Sequence, residues 1–127
     1  MKKSLKAVQE FHEAFGLGVK QQPTAILEQG KPQLRYELMK EENEEYLVAA
    51  QKGDLPEIAD ALGDMLYILC GTILEHGLQH KISEVFDEIQ RSNMSKLGED
   101  GKPIYREDGK VLKGPKYFRP NFDKILG

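Results

Sequence analysis

The chain has one cysteine, Cys70, so no internal disulfide can form, and its place inside an apolar helical run marks it as a small packed hydrophobe. Long apolar runs are missing too. The longest, MLYILCGTIL from Met65 to Leu74, is far too short to span a membrane. The first residues, MKKSLKAVQEFHEAF, lack the apolar core and small-residue cleavage site of a secretory signal. Neither an internal repeat nor a low-complexity segment is present. These absences lead to the expectation of a cytoplasmic protein with no membrane partner. At 127 residues, 39% apolar and 31% charged, the chain is expected to form a single domain over 1–127 around one core.

A uniform excess of either charge is also lacking, since the net charge is only −3. That figure hides an asymmetry. Residues 37–64 hold nine acids against Lys40 and Lys52, whereas residues 91–119 hold eight Lys or Arg against four acids. A basic surface throughout would indicate a nucleic-acid polymer, and none is expected here. An acidic centre with a basic tail indicates cations at one place and anions nearby.

Apolar residues at Leu5, Val8, Phe11 and Phe15 have helical spacing over 4–16, ending at GLG. A loop follows through VKQQPTAILEQGKP, and Pro32 is placed to open a second helix as its first residue. That helix is predicted to run to Lys52 and stop at Gly53. Asp54 reads as the N-cap of a third helix, with Glu57 completing a capping box, and this helix runs to about His76. A fourth begins near Lys81, with Ile82, Val85, Phe86 and Ile89 at bundle spacing. The helical core therefore covers about 4–97 and a basic tail about 98–127. In that tail Ile104, Tyr105, the Asp108-Gly109 turn, Val111 and Leu112 predict a small β-hairpin, and NFDKIL a short last helix. The expected class is all-α, a bundle of four to five helices with a hairpin extension.

The acids are the unusual feature. Residues three or four apart share a helix face, so Glu41, Glu42 and Glu45 occupy one arc of the second helix. They continue the stripe begun by Leu34 and Leu38 rather than opposing it. On the third helix Glu57, Asp60 and Asp64 share an arc flanked by Ala61, Met65 and Ile68. A short loop makes the two helices antiparallel neighbours, so the rows should face each other. Carboxylates converging in a partly dry groove repel, and divalent cations with a preference for oxygen resolve that conflict. A Glu run alone usually forms a solvated face, and Glu44 is expected to point outward. The second row is what favours a metal site, although a capping box by itself accounts for Glu57. His12, His76 and His80 read as surface or helix-end residues. Tyr67 and Phe86 read as core, and Phe11 and Phe15 as core or dimer contacts.

This arrangement resembles the MazG-like all-α NTP pyrophosphohydrolases, a superfamily that includes dimeric dUTPases and phosphoribosyl-ATP pyrophosphohydrolase. EENEE (Glu41 to Glu45) matches the E-E-x-x-E element. FHEAFG, DALGDMLYILCGT and RSNMSKLGEDGKPIYREDGKVLKGPKYF extend the likeness over nearly the whole chain. The second acidic element departs from the family pattern E-x-x-D: counting back three from Asp64 gives Ala61. Two registers follow, Glu57 with Asp60 or Asp60 with Asp64. The second fits because in relatives the acid directly precedes the apolar run, and it is preferred because Glu57 sits in the first helical turn, where the cap already explains it.

The resemblance implies Mg²⁺-dependent hydrolysis of a nucleoside triphosphate between the α and β phosphates, with Mn²⁺ as a substitute ion. It implies Glu42, Glu45, Asp60 and Asp64 as metal ligands, with Glu57 as an alternative, and Glu41 as the residue that orients or deprotonates water. Arg91, Asn93, Lys96, Lys113 and Lys116 would grip phosphates or base. A homo-oligomer, dimer or tetramer, is implied as well. Phosphoribosyl-ATP hydrolysis, and a non-catalytic nucleotide or metal regulator, are the rival readings.

Overall fold

The computed structural model describes all 127 residues as two compact units, Met1–His80 and Lys81–Gly127. The first holds three helices: α1 (Lys2–Ala14), α2 (Lys31–Lys52) and α3 (Leu55–Glu75). The second holds α4 (Ile82–Met94) and α5 (Asp123–Leu126). No helix is long and apolar enough to cross a membrane.

In the first unit α3 is the axis, packed by α1 and by α2. It starts where expected. The Asp54 side chain accepts from the backbone N–H of Glu57 at 3.2 Å, satisfying one of the free donors of the first turn. The reciprocal half of a capping box does not form, because the Asp54 N–H donates to Ala49 O instead (3.0 Å). The Glu57 carboxylate is thereby released from the cap. Gly53, at φ +68°, ends α2 in the left-handed conformation that L side chains resist. Two residues between the helices make α2 and α3 an antiparallel hairpin. At its start α2 takes in Lys31, one residue earlier than the proline signal implied, behind a left-handed Gly30.

The 17–30 segment docks on the far end of α3. Lys20 N–H donates to Leu74 O (2.9 Å), Thr24 N–H to His76 O (2.8 Å), and Gln79 Nε2 to Lys20 O (2.7 Å). Gly77 joins that contact at φ +68°, and a Cβ there would fall 2.1 Å from Gln22 O. The fully packed centre is small: Leu5, Val8, Leu27, Ala49, Ala61, Cys70, Ile73 and Leu74. Cys70 is buried, as expected of a packed hydrophobe. Tyr67 and Phe86 are not core residues, being 42% and 64% exposed. Phe11 and Phe15 are exposed as well. They stack on each other at 4.4 Å, and Phe11 meets Tyr67 edge-on at 5.6 Å.

In the second unit the expected β-hairpin shrinks to a turn with one antiparallel bridge, Tyr105 with Val111. Arg106 N–H reaches Lys110 O and Leu112 N–H reaches Ile104 O, both at 2.8 Å, but no strand forms. Ile104, Tyr105, Val111 and Leu112 are all exposed, so neither face of the ribbon buries anything that would extend it. Beyond the turn the chain folds back on the end of α4. Gly114 N–H donates to Lys96 O, and the Ser92 hydroxyl to Phe118 O, both at 2.8 Å.

Gly77→Ala combines backbone strain with a backbone clash and is expected to cost about 1–3 kcal/mol. Gly53→Ala, where a Cβ meets nothing, is expected to cost about 1 kcal/mol. Urea unfolding of the two variants checks the order.

Candidate functional site

The hairpin register places the acids. At its open end Lys31 Nζ lies 3.0 Å from Glu75 Oε1, and Arg35 Nε donates to Thr72 Oγ1 at 3.0 Å. Two turns onward from Arg35 along α2 comes Glu42, and two turns back from Thr72 along α3 comes Asp64. One further turn brings Glu45 level with Asp60. The two acidic rows do face each other.

Their charges interact accordingly. Glu42 is half-buried, and its Oε2 is shut away from solvent without a hydrogen-bond partner. Loss of solvation pushes its carboxyl up to about 7, helped by a hydrogen bond with Glu45 and by the charges of Glu45, Asp64 and Glu41. Asp64 is also half-buried, whereas Glu41, Glu45, Glu57 and Asp60 are exposed. An open cleft of about 680 Å³ lies along the hairpin toward its turn, lined by Glu41, Glu44, Glu45, Glu57, Asp60 and Val48 among others. Glu44 therefore belongs to the cleft wall rather than to an outer face. Glu57, freed from the cap, lines the same cleft, so the Glu57–Asp60 register regains the standing that a capping box took from it.

The donor set is entirely carboxylate oxygen, the chemistry that suits Mg²⁺ or Mn²⁺. With the side chains as they stand, no three acidic, histidine or cysteine groups converge into a coordination sphere. The orphaned Glu42 oxygen is the feature that a cation would satisfy. Glu42, Glu45, Asp60 and Asp64, with Glu57 beside Asp60, are the acids of the facing rows from which such a site would be drawn.

The basic residues of the second unit divide. Arg91 is engaged within its own unit, forked onto Glu88 at 2.9 and 3.2 Å and stacked 4.3 Å above the Phe118 ring. Its side chain braces the returning tail while remaining exposed. Lys113 Nζ sits 4.9 Å over Tyr117, while Asn93 and Lys116 are exposed and Lys96 is half-exposed.

A polar cluster that the sequence reading passed over lies at the open end of the hairpin. Glu75 is only 1% exposed, and both Lys31 and Arg35 (3.6 Å) point at it. The Lys31 contact is ionic, lying off the direction of a hydrogen bond to Oε1. His12 is not a surface residue: it is 2% exposed and donates from Nδ1 to Gly18 O at 2.9 Å. The available signal was an acid ending the apolar run MLYILCGTILE, one helix length from two cations at the start of α2.

An all-helical chain with two acidic rows facing across an antiparallel hairpin has the form of the MazG-like all-α pyrophosphohydrolases. The family model for phosphoribosyl-ATP pyrophosphohydrolase matches residues 8–93, and the chain belongs to that family. Among solved structures it is similar to a candidate NTP pyrophosphohydrolase from Exiguobacterium sp. 255-15. The two are 30% identical, with 92% of this chain and 88% of the other covered and a TM-score of 0.46. No curated protein matches the chain.

Raised from 4.5 to about 7, the Glu42 carboxyl holds its proton more tightly in the folded than in the unfolded chain. The stability this gives is present below pH 4.5 and is lost as pH rises through about 7. Thermal melting of metal-free protein between pH 4 and 8 is expected to show that fall, and Glu42→Gln to flatten it.

Proposed function

We propose that this chain hydrolyses nucleoside triphosphates between the α and β phosphates, releasing a nucleoside monophosphate and pyrophosphate, as a cytoplasmic enzyme of nucleotide-pool house-cleaning. The observation that carries the reading is the pair of facing acidic rows with an unpartnered Glu42 oxygen between them, in a chain of a pyrophosphohydrolase family. Carboxylates alone repel a triphosphate. Mg²⁺ held by Glu42, Glu45, Asp60 and Asp64 would reverse the local sign and stabilise charge at the reacting phosphorus.

The remaining work belongs to the chain itself. Glu41, exposed on the cleft one residue from the ligand pair, orients the attacking water and accepts its proton. The α3 acids fix the opposite wall, with Glu57 the alternative partner of Asp60. Arg91, Asn93, Lys96, Lys113 and Lys116 supply the positive charge and amide group that phosphate and base require. Phosphoribosyl-ATP, named in the matching family, is the second substrate reading.

A homo-oligomer, dimer or tetramer, belongs to the proposal. Leu55, Leu62, Leu66 and Leu69 line α3 yet are 71%, 50%, 44% and 43% exposed, an apolar stripe that water does not favour.

Pyrophosphate release with Mg²⁺ from a panel of common and modified ribo- and deoxyribonucleotides, with phosphoribosyl-ATP as one arm, tests the activity. Glu42→Gln and Asp64→Asn are each expected to lower turnover at least about 100-fold with helical content unchanged. Undiminished turnover in both overturns the ligand assignment. Metal binding without turnover on any substrate would favour a regulator. Light scattering is expected to show more than one chain per particle, and Leu66→Glu to shift it toward the monomer.

A further inference from the structure

The buried cluster at the open end of the hairpin has no part in the chemistry just described, and it lies about five to six helical turns from the turn at Gly53. Apolar packing does little to fix the axial position of α2. Ala49, near the turn, is its one fully buried residue, and Leu34, Leu47 and Val48 are all exposed. Between the two ends the facing acids push the helices apart. The two-residue turn fixes one end of the pair, and the far end needs a hold of its own.

Arg35 has the geometry for it. Its Nε donates to Thr72 Oγ1 at 3.0 Å and its Nη2 to Ile68 O at 2.7 Å, while the Thr72 hydroxyl itself donates to Ile68 O at 3.0 Å. The guanidinium thus bridges one full turn of α3. Because the fork is planar and rigid, a slip of one residue, about 1.5 Å along the axis, breaks both bonds. Glu75, buried at 1% exposure, holds the guanidinium from the next turn at 3.6 Å and draws Lys31 to the same place. Gly71 leaves the space: a Cβ there would lie 2.6 Å from Arg35 Nη2 and 2.7 Å from His12 Nε2.

We infer that Arg35 and Thr72, anchored by Glu75, are positioning residues: they set the register of α2 against α3, and so which α2 carboxylate stands opposite which α3 carboxylate. The inference rests on the proposed metal-dependent hydrolysis for its functional consequence, but not for its geometry. Moving reacting groups by about 1 Å from a distance is enough to cost about 100-fold in rate.

The test uses the full chain carrying Arg35→Met, Thr72→Val or the conservative Thr72→Ser. Nitroxides are placed at the exposed positions Lys40 and Ala59 to report the distance across the hairpin. Mn²⁺ titration followed by electron paramagnetic resonance, and pyrophosphate release, report the site. Arg35→Met and Thr72→Val are expected to keep their helical circular dichroism and to shift or broaden the distance distribution. They should also weaken Mn²⁺ binding about tenfold and lower turnover up to about 100-fold. Thr72→Ser, which keeps the hydroxyl, should match the parent in all three. If Arg35→Met does not fold, Thr72→Val decides. Unchanged distances, or a lowered melting temperature with Mn²⁺ affinity and turnover intact, overturns the inference. A parent chain that neither binds Mn²⁺ nor releases pyrophosphate overturns the functional reading instead, and the distance measurement still decides the register.

Discussion

Two antiparallel helices can slide past one another, and the usefulness of this hairpin depends on their not doing so. One end is fixed by covalent geometry: Gly53 in the left-handed region and the Asp54 cap leave no slack between α2 and α3. The other end is fixed by charge and hydrogen bonds, with Arg35 spanning Ile68 to Thr72 and Glu75 buried against it. Burying Glu75 is costly, and removing one partner of such a group typically costs about 3–5 kcal/mol. Burial holds the pKa of Arg35 below its ordinary value, with Glu75 partly offsetting that. A replacement of this cluster by apolar residues would often be no less stable. What apolar residues lack is direction, and direction is what sets a register.

Between those ends the chain tolerates a conflict. Glu42 is half-buried among like charges, and loss of solvation, then those charges, pushes its carboxyl up. A structural helix pair would relieve it with one Lys or Leu. The opposing acids on α3 add to that conflict, and an all-oxygen donor set is of the kind that suits a hard divalent ion. The cleft toward the turn stays open and lined by carboxylates.

Much of this was legible in the sequence, for reasons that differ by element. The helices were readable because their stops are local: Gly53, Asp54 and Gly77 act on the residues next to them. The facing of the acidic rows was readable because a two-residue connection admits only one arrangement. The hairpin tail misled because Asp108-Gly109 does make a turn, and only exposure of both ribbon faces shows that no strands follow. His12 misled for the opposite reason. Its burial depends on Gly18 and on the missing side chain at Gly71, positions that no local pattern links to it. Arg91 has partners of two kinds, Glu88 one turn back and Phe118, 27 residues on, and only the first is local in sequence.

The capping of α3 connects local folding to site chemistry. Had Glu57 closed a capping box, its carboxylate would be tied to the backbone and the α3 wall would hold only Asp60 and Asp64. Because Ala49 O takes the Asp54 N–H instead, the end of α2 satisfies the start of α3, and Glu57 faces the cleft. The two helices thereby exchange a backbone bond for a free acid. The departure from E-x-x-D spacing then loses its force as an obstacle: Glu57 and Asp60 keep that spacing on the cleft wall, while Asp64 acts on the half-buried Glu42 one turn further along.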